Sequence, residues 1–253
     1  MARQTLITNG DPAPVEWVNP DSNSPVLLLC EHAGQAIPAQ LGGLGLQEGA
    51  VDKHIGWDIG AEPLSRRVAE KLSAPLILQR YSRLVVDCNR PPEAEGFIPP
   101  ISDQCVIPGN QHLEAQERLD RKREIFDPLD AAIREGFDYS PRKAAFSIHT
   151  YTRQMQGGTR RKWDAGFLCR RDLAAAEALM GSLSRRHPDL TMEVNQPYQI
   201  DDTSDWFIPV HAEPRGLRHT LIEVCNDQVQ TETQIELWAK MIADAIQDLV
   251  AVA

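Results

Sequence analysis

Six short apolar runs punctuate the 253-residue chain, and their alternation with longer amphipathic stretches limits the fold more than any other feature. The runs are "PVLLLC" (25–30), "PLILQ" (75–79), "RLVVD" (83–87), "AAFSIHT" (144–150), "DAGFLC" (164–169) and "GLRHTLIEVC" (216–225). Short continuous runs of this type, several rich in β-branched residues, read as strands buried on both faces. Between them, "AEPLSRRVAEKL" (61–72) spaces Leu64, Val68 and Leu72 at helical intervals, with Pro63 tolerated in the first turn. A second helix is expected from about Gln111 to Phe137, kinked or split at Pro128, and a third at "RDLAAAEALMGSLSRRH" (171–187). The C-terminal helix is the clearest, with Ile235, Trp238, Ile242, Ile246 and Leu249 on one face and Thr231 or Thr233 as its cap. Strands alternating with helices specify an α/β fold, a single domain over 1–253 with a central mixed, mostly parallel sheet flanked by helices. Residues 91–109 contain five prolines and are read as a long ordered loop that covers something.

The bulk numbers narrow the function classes. A net charge of −10 argues against a nonspecific grip on nucleic acid or anionic membrane. "MARQTLITNGDPAPVEW" has no long apolar core and no run approaches a membrane span, so neither a signal peptide nor a membrane partner is expected. Five scattered cysteines form no CxxC pair and read as reduced, mostly buried thiols of a cytoplasmic protein.

In open α/β sheets, ligands bind beyond the carboxyl ends of the strands. Four such ends carry reactive side chains: Glu31 and His32; Asp87, Asn89 and Arg90; His149; and Glu223, inside an apolar run. A carboxylate between Ile222 and Val224 needs a cation or several donors to stay charged, and a structural arginine pair is the plain alternative. Two imidazoles and one carboxylate with a fourth position open suit catalytic zinc, and a carboxylate such as Glu223 can take the proton of an activated water. His54 and Asp58 are four apart and share a face if that segment is helical; Asp58 also suits a helix N-terminus. Asn89 and Arg90 fit a substrate carboxylate, whereas Arg83 and Arg90 can instead neutralise Asp87 and Glu223. The basic loop "GGTRRKW" (157–163) can attract a small anion.

"CEHAG", "WDIGA", "SRLVVDCNRP", "SIHT" and "IEVCND" occur in this order, and together they resemble the N-formylglutamate amidohydrolase family over about Leu28–Asp227. The resemblance implies a zinc-exopeptidase (phosphorylase/hydrolase)-like fold, His32 and His149 as metal ligands, Asn89 and Arg90 on a substrate carboxylate, and Glu223 as general base. The wider zinc-peptidase pattern carries a glutamate ligand three residues after the first histidine, where this chain has Gln35. Asp58 is taken as the third ligand, with Glu31 as the substitute. His211 in "IPVHAEPRGL" is a further catalytic candidate, and "NQPY" (195–198) with Arg160 and Arg161 shapes the pocket.

The resulting expectation is an amidohydrolase with one Zn²⁺ per chain, or another divalent metal, acting on a small carboxylate substrate. The lead substrate is N-formyl-L-glutamate, cleaved to formate and L-glutamate, with Arg83 assisting Asn89 and Arg90. Two rivals remain at this point: a hydrolase of another N-acyl amino acid or short peptide with a free carboxylate, and a non-catalytic carboxylate-binding protein with a degenerate metal site.

Overall fold

The computed structural model describes residues 5–251, so the first four residues of the N-terminal stretch lie outside it. Five of the six apolar runs become strands of one sheet. In chain order the strands are β1 (Val15–Val18), β2 (Val26–Cys30), β3 (Leu76–Gln79), a two-residue pair β4 (Ile101–Ser102) and β5 (Cys105–Val106), then β6 (Ala144–Tyr151), β7 (Ala165–Leu168), β8 (Met192–Val194) and β9 (Arg218–Cys225). The main sheet has the order β1-β3-β2-β6-β9-β7-β8, and β4-β5 forms a separate hairpin. β3, β2, β6 and β9 run parallel, while β1 and β7 join them antiparallel and β8 runs parallel to β7. The sheet is therefore mixed and mostly parallel, as the strand–helix alternation requires.

The helices are α1 (Ala61–Leu72), α2 (Ala115–Arg121), α3 (Asp127–Asp138), α4 (Leu173–Arg186) and α5 (Glu232–Ala251). The expected 111–137 helix is divided by a π-helical turn at Lys122–Phe126, and Pro128 sits in the first turn of α3, where its missing N–H is harmless. Thr231 caps α5 reciprocally with Gln234. Its five apolar-stripe residues are all buried.

Period-two alternation divides the strands between two cores. Leu28, Phe146, Ile148, Ile222 and Val224 pack with α1, α4 and α5 residues such as Leu64, Leu179 and Trp238. Leu27, Leu29, Ile77, Ala145 and Leu221 face the other way, toward Ile125, Leu129 and Phe207. His149 and Glu223 belong to this second face, since Glu223 lies two positions beyond Leu221 and His149 four beyond Ala145, both even steps along a strand.

One expected strand is absent. "RLVVD" is a chain of turns, although Leu84, Val85 and Val86 are fully buried. Its backbone is satisfied without a neighbouring strand: Val85 N donates to Ser82 O, Asn110 Nδ2 donates to Leu84 O, and Arg121 Nη1 donates to Val85 O. The buried Arg121 also donates to Asn110 Oδ1 and Gly109 O, so it fastens this turn segment to the 107–110 loop. The sequence reading missed β1, β8 and the β4–β5 hairpin.

Candidate active site

His149 in β6 stands directly opposite Glu223 in β9, so their side chains emerge side by side from one face of the sheet. β2 ends at Cys30, and Glu31 and His32 continue past its carboxyl end. The chain must then turn sharply against the end of β3. A Cβ at Gly34 would lie 1.9 Å from the carbonyl oxygen of Arg80, so the close approach requires glycine. The turn before α1 folds back onto this corner, with Asp58 N donating to His32 O at 3.0 Å. Three distant segments thus deliver His32, Asp58 and His149 to one point.

Asp58 Oδ2 lies 2.8 Å from His149 Nδ1 and 3.4 Å from His32 Nδ1, and the two rings meet edge-on with centroids 4.8 Å apart. Each ring is held from behind by a second buried carboxylate. His32 Nε2 is 2.7 Å from Asp87 Oδ1, and His149 Nε2 is 3.0 Å from Glu31 Oε2, which also accepts from the Ser147 hydroxyl. Carboxylates at Nε2 favour a proton there and turn both Nδ1 atoms toward Asp58, the outer arrangement typical of metal-ligating histidines. His32 Nδ1 has no hydrogen-bond partner. The donor atoms of His32, Asp58 and His149 lie within 4.8 Å of one another, and the three residues fit a divalent cation with a position left open. Glu31 stands behind His149 and Gln35 is exposed, so the geometry favours Asp58 over either as the carboxylate ligand.

The charges in the cluster are interlocked. Burial opposes the ionised form of Asp87, but the Arg83 guanidinium and His32 outweigh it and hold that carboxyl well below its ordinary value. Glu31 is likewise lowered: burial raises it, and the charge and hydrogen bond of His149 prevail. His149 is raised well above an ordinary imidazole because Glu31 and Asp58 overcome its desolvation. A metal bound beside Asp58 would displace the Nδ1 protons of the two imidazoles, since ligation requires their neutral form. Glu223 goes the other way. Burial pushes it from 4.5 to about 7 against the pull of His149, and its Oε2 has no hydrogen-bond partner.

These groups open onto a cleft of about 390 Å³, also bordered by Arg83, Asn89, Arg90 and Tyr198. A wider groove of about 690 Å³ at Val18–Ser22 contains no imidazole, so volume alone does not mark the site. Arg83 reaches the cleft, but it donates from Nε (3.1 Å) and Nη2 (2.6 Å) to Asp87 and from Nη1 (3.3 Å) to Asp58. It therefore neutralises the buried carboxylates, one of the two roles that its place in the sequence allows. Asn89 is partly engaged as well: its Oδ1 accepts from Trp206 N and Phe207 N, and its Nδ2 donates to Asp205. Arg90 keeps more freedom, with Nη1 donating to Ser204 O at 2.6 Å and Nε 3.8 Å from Asp87.

His211 does not border the cleft; it is buried against Phe207 and Trp206 with Nε2 2.7 Å from Asp130. The segment of His54 and Asp58 is a series of turns, and His54 pairs with Asp103 at the β4–β5 hairpin tip instead of sharing a helical face with Asp58. That hairpin supplies Ser102 to the cleft wall, so the proline-rich loop does cover something. Sequence reasoning missed Ser147 and Asp205; a serine within an apolar strand and an acid in "DDTSDW" give no distinguishing signal.

A parallel-sheet core with a buried His/Asp/His cluster and an adjacent free carboxylate defines a hydrolytic type of site. The model of the N-formylglutamate amidohydrolase family matches residues 24–229, and the chain belongs to that family, whose members hydrolyse amide C–N bonds. The crystal structure of gene product Atu2144 from Agrobacterium tumefaciens is similar at 32% identity and TM-score 0.89, covering 96% of this chain and 99% of that one. Lower likenesses are to the CwlD amidase from Clostridioides difficile in complex with the GerS lipoprotein (TM-score 0.49, 13% identity, 90% and 99% covered) and a bacteriophage poly-gamma-glutamate hydrolase (TM-score 0.47, 13% identity, 94% and 90% covered). No curated protein matches the chain.

Proposed function

We propose that the chain hydrolyses the amide of an N-acyl amino acid, with N-formyl-L-glutamate as lead substrate and formate and L-glutamate as products. The observation that carries this reading is the pair of imidazoles turned by Asp87 and Glu31 so that both Nδ1 atoms face Asp58. His32, Asp58 and His149 would hold one zinc ion. Bound there, zinc would acidify a water and draw electrons from the acyl carbonyl.

The chain's own residues supply the remaining steps. Ionised Glu223 takes a proton from the attacking water and returns it to the departing nitrogen as the C–N bond breaks. Water thereby adds OH to the acyl carbon and H to the amine. Asn89 and Arg90 hold the α-carboxylate, through the donors of Arg90 that Ser204 does not occupy. Arg83 keeps Asp58 and Asp87 ionised in a buried setting. No helix among the described residues is long and apolar enough to cross a membrane. A cytoplasmic setting is part of the proposal on the strength of the five scattered cysteines of the sequence, which form no CxxC pair.

The test is elemental analysis of protein purified without chelator or metal-affinity tag, with formate release measured on the same samples. About one zinc per chain and turnover of N-formyl-L-glutamate, both lost in a folded His149→Ala variant, are expected. No metal after dialysis against zinc would sink the reading.

A further inference from the structure

The cleft has a wall that the proposed chemistry does not use, formed where β6 runs out at Tyr151 and the 195–199 loop crosses it. Gly166 lies opposite Glu223 in the sheet register, and a Cβ there would fall 1.5 Å from the carbonyl oxygen of Gln196. Glycine thus lets the loop press onto the sheet beside Glu223, where Asn195 Oδ1 accepts from Cys169 N at 2.8 Å. Tyr198, three residues on, borders the cleft together with Tyr151.

Arg161 lies against both tyrosines. Its guanidinium carbon is 4.8 Å from the Tyr198 ring centroid and 5.5 Å from that of Tyr151. Nη1 donates to Thr152 O at 2.9 Å, and the backbone N of Arg161 donates to Arg153 O at 2.9 Å. Arg153 is itself fixed by two 2.7 Å bonds to Asp227 and one of 3.0 Å to Asp164. Arg161 is therefore held at two points, yet among the described residues no carboxylate pairs with its guanidinium. The chain carries 36 acidic residues against 26 lysines and arginines, so an arginine fixed against two tyrosines that border the cleft, itself without an acid, is not explained by a shortage of partners. A planar fork with spare donors, pre-positioned by aromatic faces, is a receptor for a carboxylate.

We infer that Arg161, positioned by Tyr198 and Tyr151, is a specificity-determining residue that receives the side-chain carboxylate of an N-acylated dicarboxylic amino acid. This rests on the hydrolase reading above and deepens it. Tyr151 is two residues beyond His149 along β6, ~7 Å at the rise of a strand, and the Arg161 guanidinium carbon is 5.5 Å from its ring, so the subsite sits apart from the His149 end of the cleft. Arg90 and Arg161 then divide the work, one for each carboxylate. The basic loop 157–163 gains a purpose that the catalytic groups do not give it.

The experiment compares N-formyl-L-glutamate with N-formyl-L-glutamine, equal in shape and different in charge, on wild type, Arg161→Met and Arg161→Lys. Wild type should prefer the glutamate substrate by about ten- to a hundredfold in kcat/KM, the range of a charged hydrogen-bonded contact. In Arg161→Met the preference should collapse, mainly through KM, and Arg161→Lys should restore part of it. Unfolding midpoints confirm that each variant is folded. Equal proportional losses on both substrates, or no wild-type preference, would overturn the proposal. Calorimetry of the two substrates on His149→Ala separates the two levels: preferential glutamate-substrate binding that needs Arg161 upholds the subsite even if the hydrolase reading fails, and equal binding rejects it.

Discussion

Replacing Glu223 by glutamine keeps the volume of the side chain, removes its ability to take a proton, and should move activity and stability in opposite directions. Glu223 Oε2 faces the site without a hydrogen-bond partner, so the amide has little to disrupt. Loss of the base should lower kcat about a hundred- to ten-thousand-fold. Metal content should stay at the wild-type value, because Glu223 is outside the His32/Asp58/His149 set. In kcat/KM against pH, the wild-type enzyme should rise on the acid side as Glu223 ionises, with a midpoint at or below about 7, since a bound cation pulls a neighbouring carboxyl down. The variant should lack that limb.

The stability effect concerns the metal-free protein. An unfolded glutamate releases its proton near 4.5, and the buried Glu223 holds its proton to about 7. The folded state is thus favoured fully below pH 4.5, and that contribution is lost as pH rises through about 7. At about 1.4 kcal/mol per pH unit, the loss amounts to about 3 kcal/mol. Glutamine does not ionise, so chelator-treated Glu223→Gln should exceed wild type by up to about 3 kcal/mol at pH 8, and the gap should close toward pH 4.5. Urea unfolding at both pH values, paired with the kinetic profile, checks the argument. A variant that turns over at the wild-type rate, or that is less stable than wild type by the same amount at both pH values, would refute it.

Two further outcomes follow from the groups around the centre. Asp87→Asn and Glu31→Gln should each weaken metal affinity about ten- to a hundredfold, measured by competition with a chromogenic chelator; unchanged affinity would detach these carboxylates from the centre. His211→Ala removes the 2.7 Å contact to Asp130 and should cost about 1–3 kcal/mol in urea unfolding while kcat/KM holds. Lost turnover in a folded, metal-replete His211→Ala protein would return that histidine to the chemistry.

The parts of the site that were legible in the sequence are those that break a local pattern. Glu223 interrupts a continuous apolar run, and His149 closes the apolar part of another, so each is conspicuous within its own few residues. The parts that were not legible depend on pairings between segments far apart in the chain. His32 meets Asp87, and His149 meets both Asp58 and Glu31, and nothing local to any of the five residues announces these contacts. Glu31 shows the difficulty best. As a strand-end carboxylate next to a histidine it reads equally as a ligand or as a ligand's partner, and only the position of Ser147 and His149 on the adjoining strand selects the second role. The misread "RLVVD" run has the same origin. Three buried apolar residues signal burial, and the sheet was inferred from it because most buried backbone is paired in strands or helices. Here Asn110 and Arg121 supply the donors that a neighbouring strand would have given. Freed from the sheet, the segment can curve, and that curvature lets Arg83 and Asp87, four residues apart, address each other and the His32/Asp58/His149 cluster together. The departure from regular structure is thus what allows this stretch of chain to steady the imidazole of His32 with Asp87 and the carboxylate of Asp58 with Arg83.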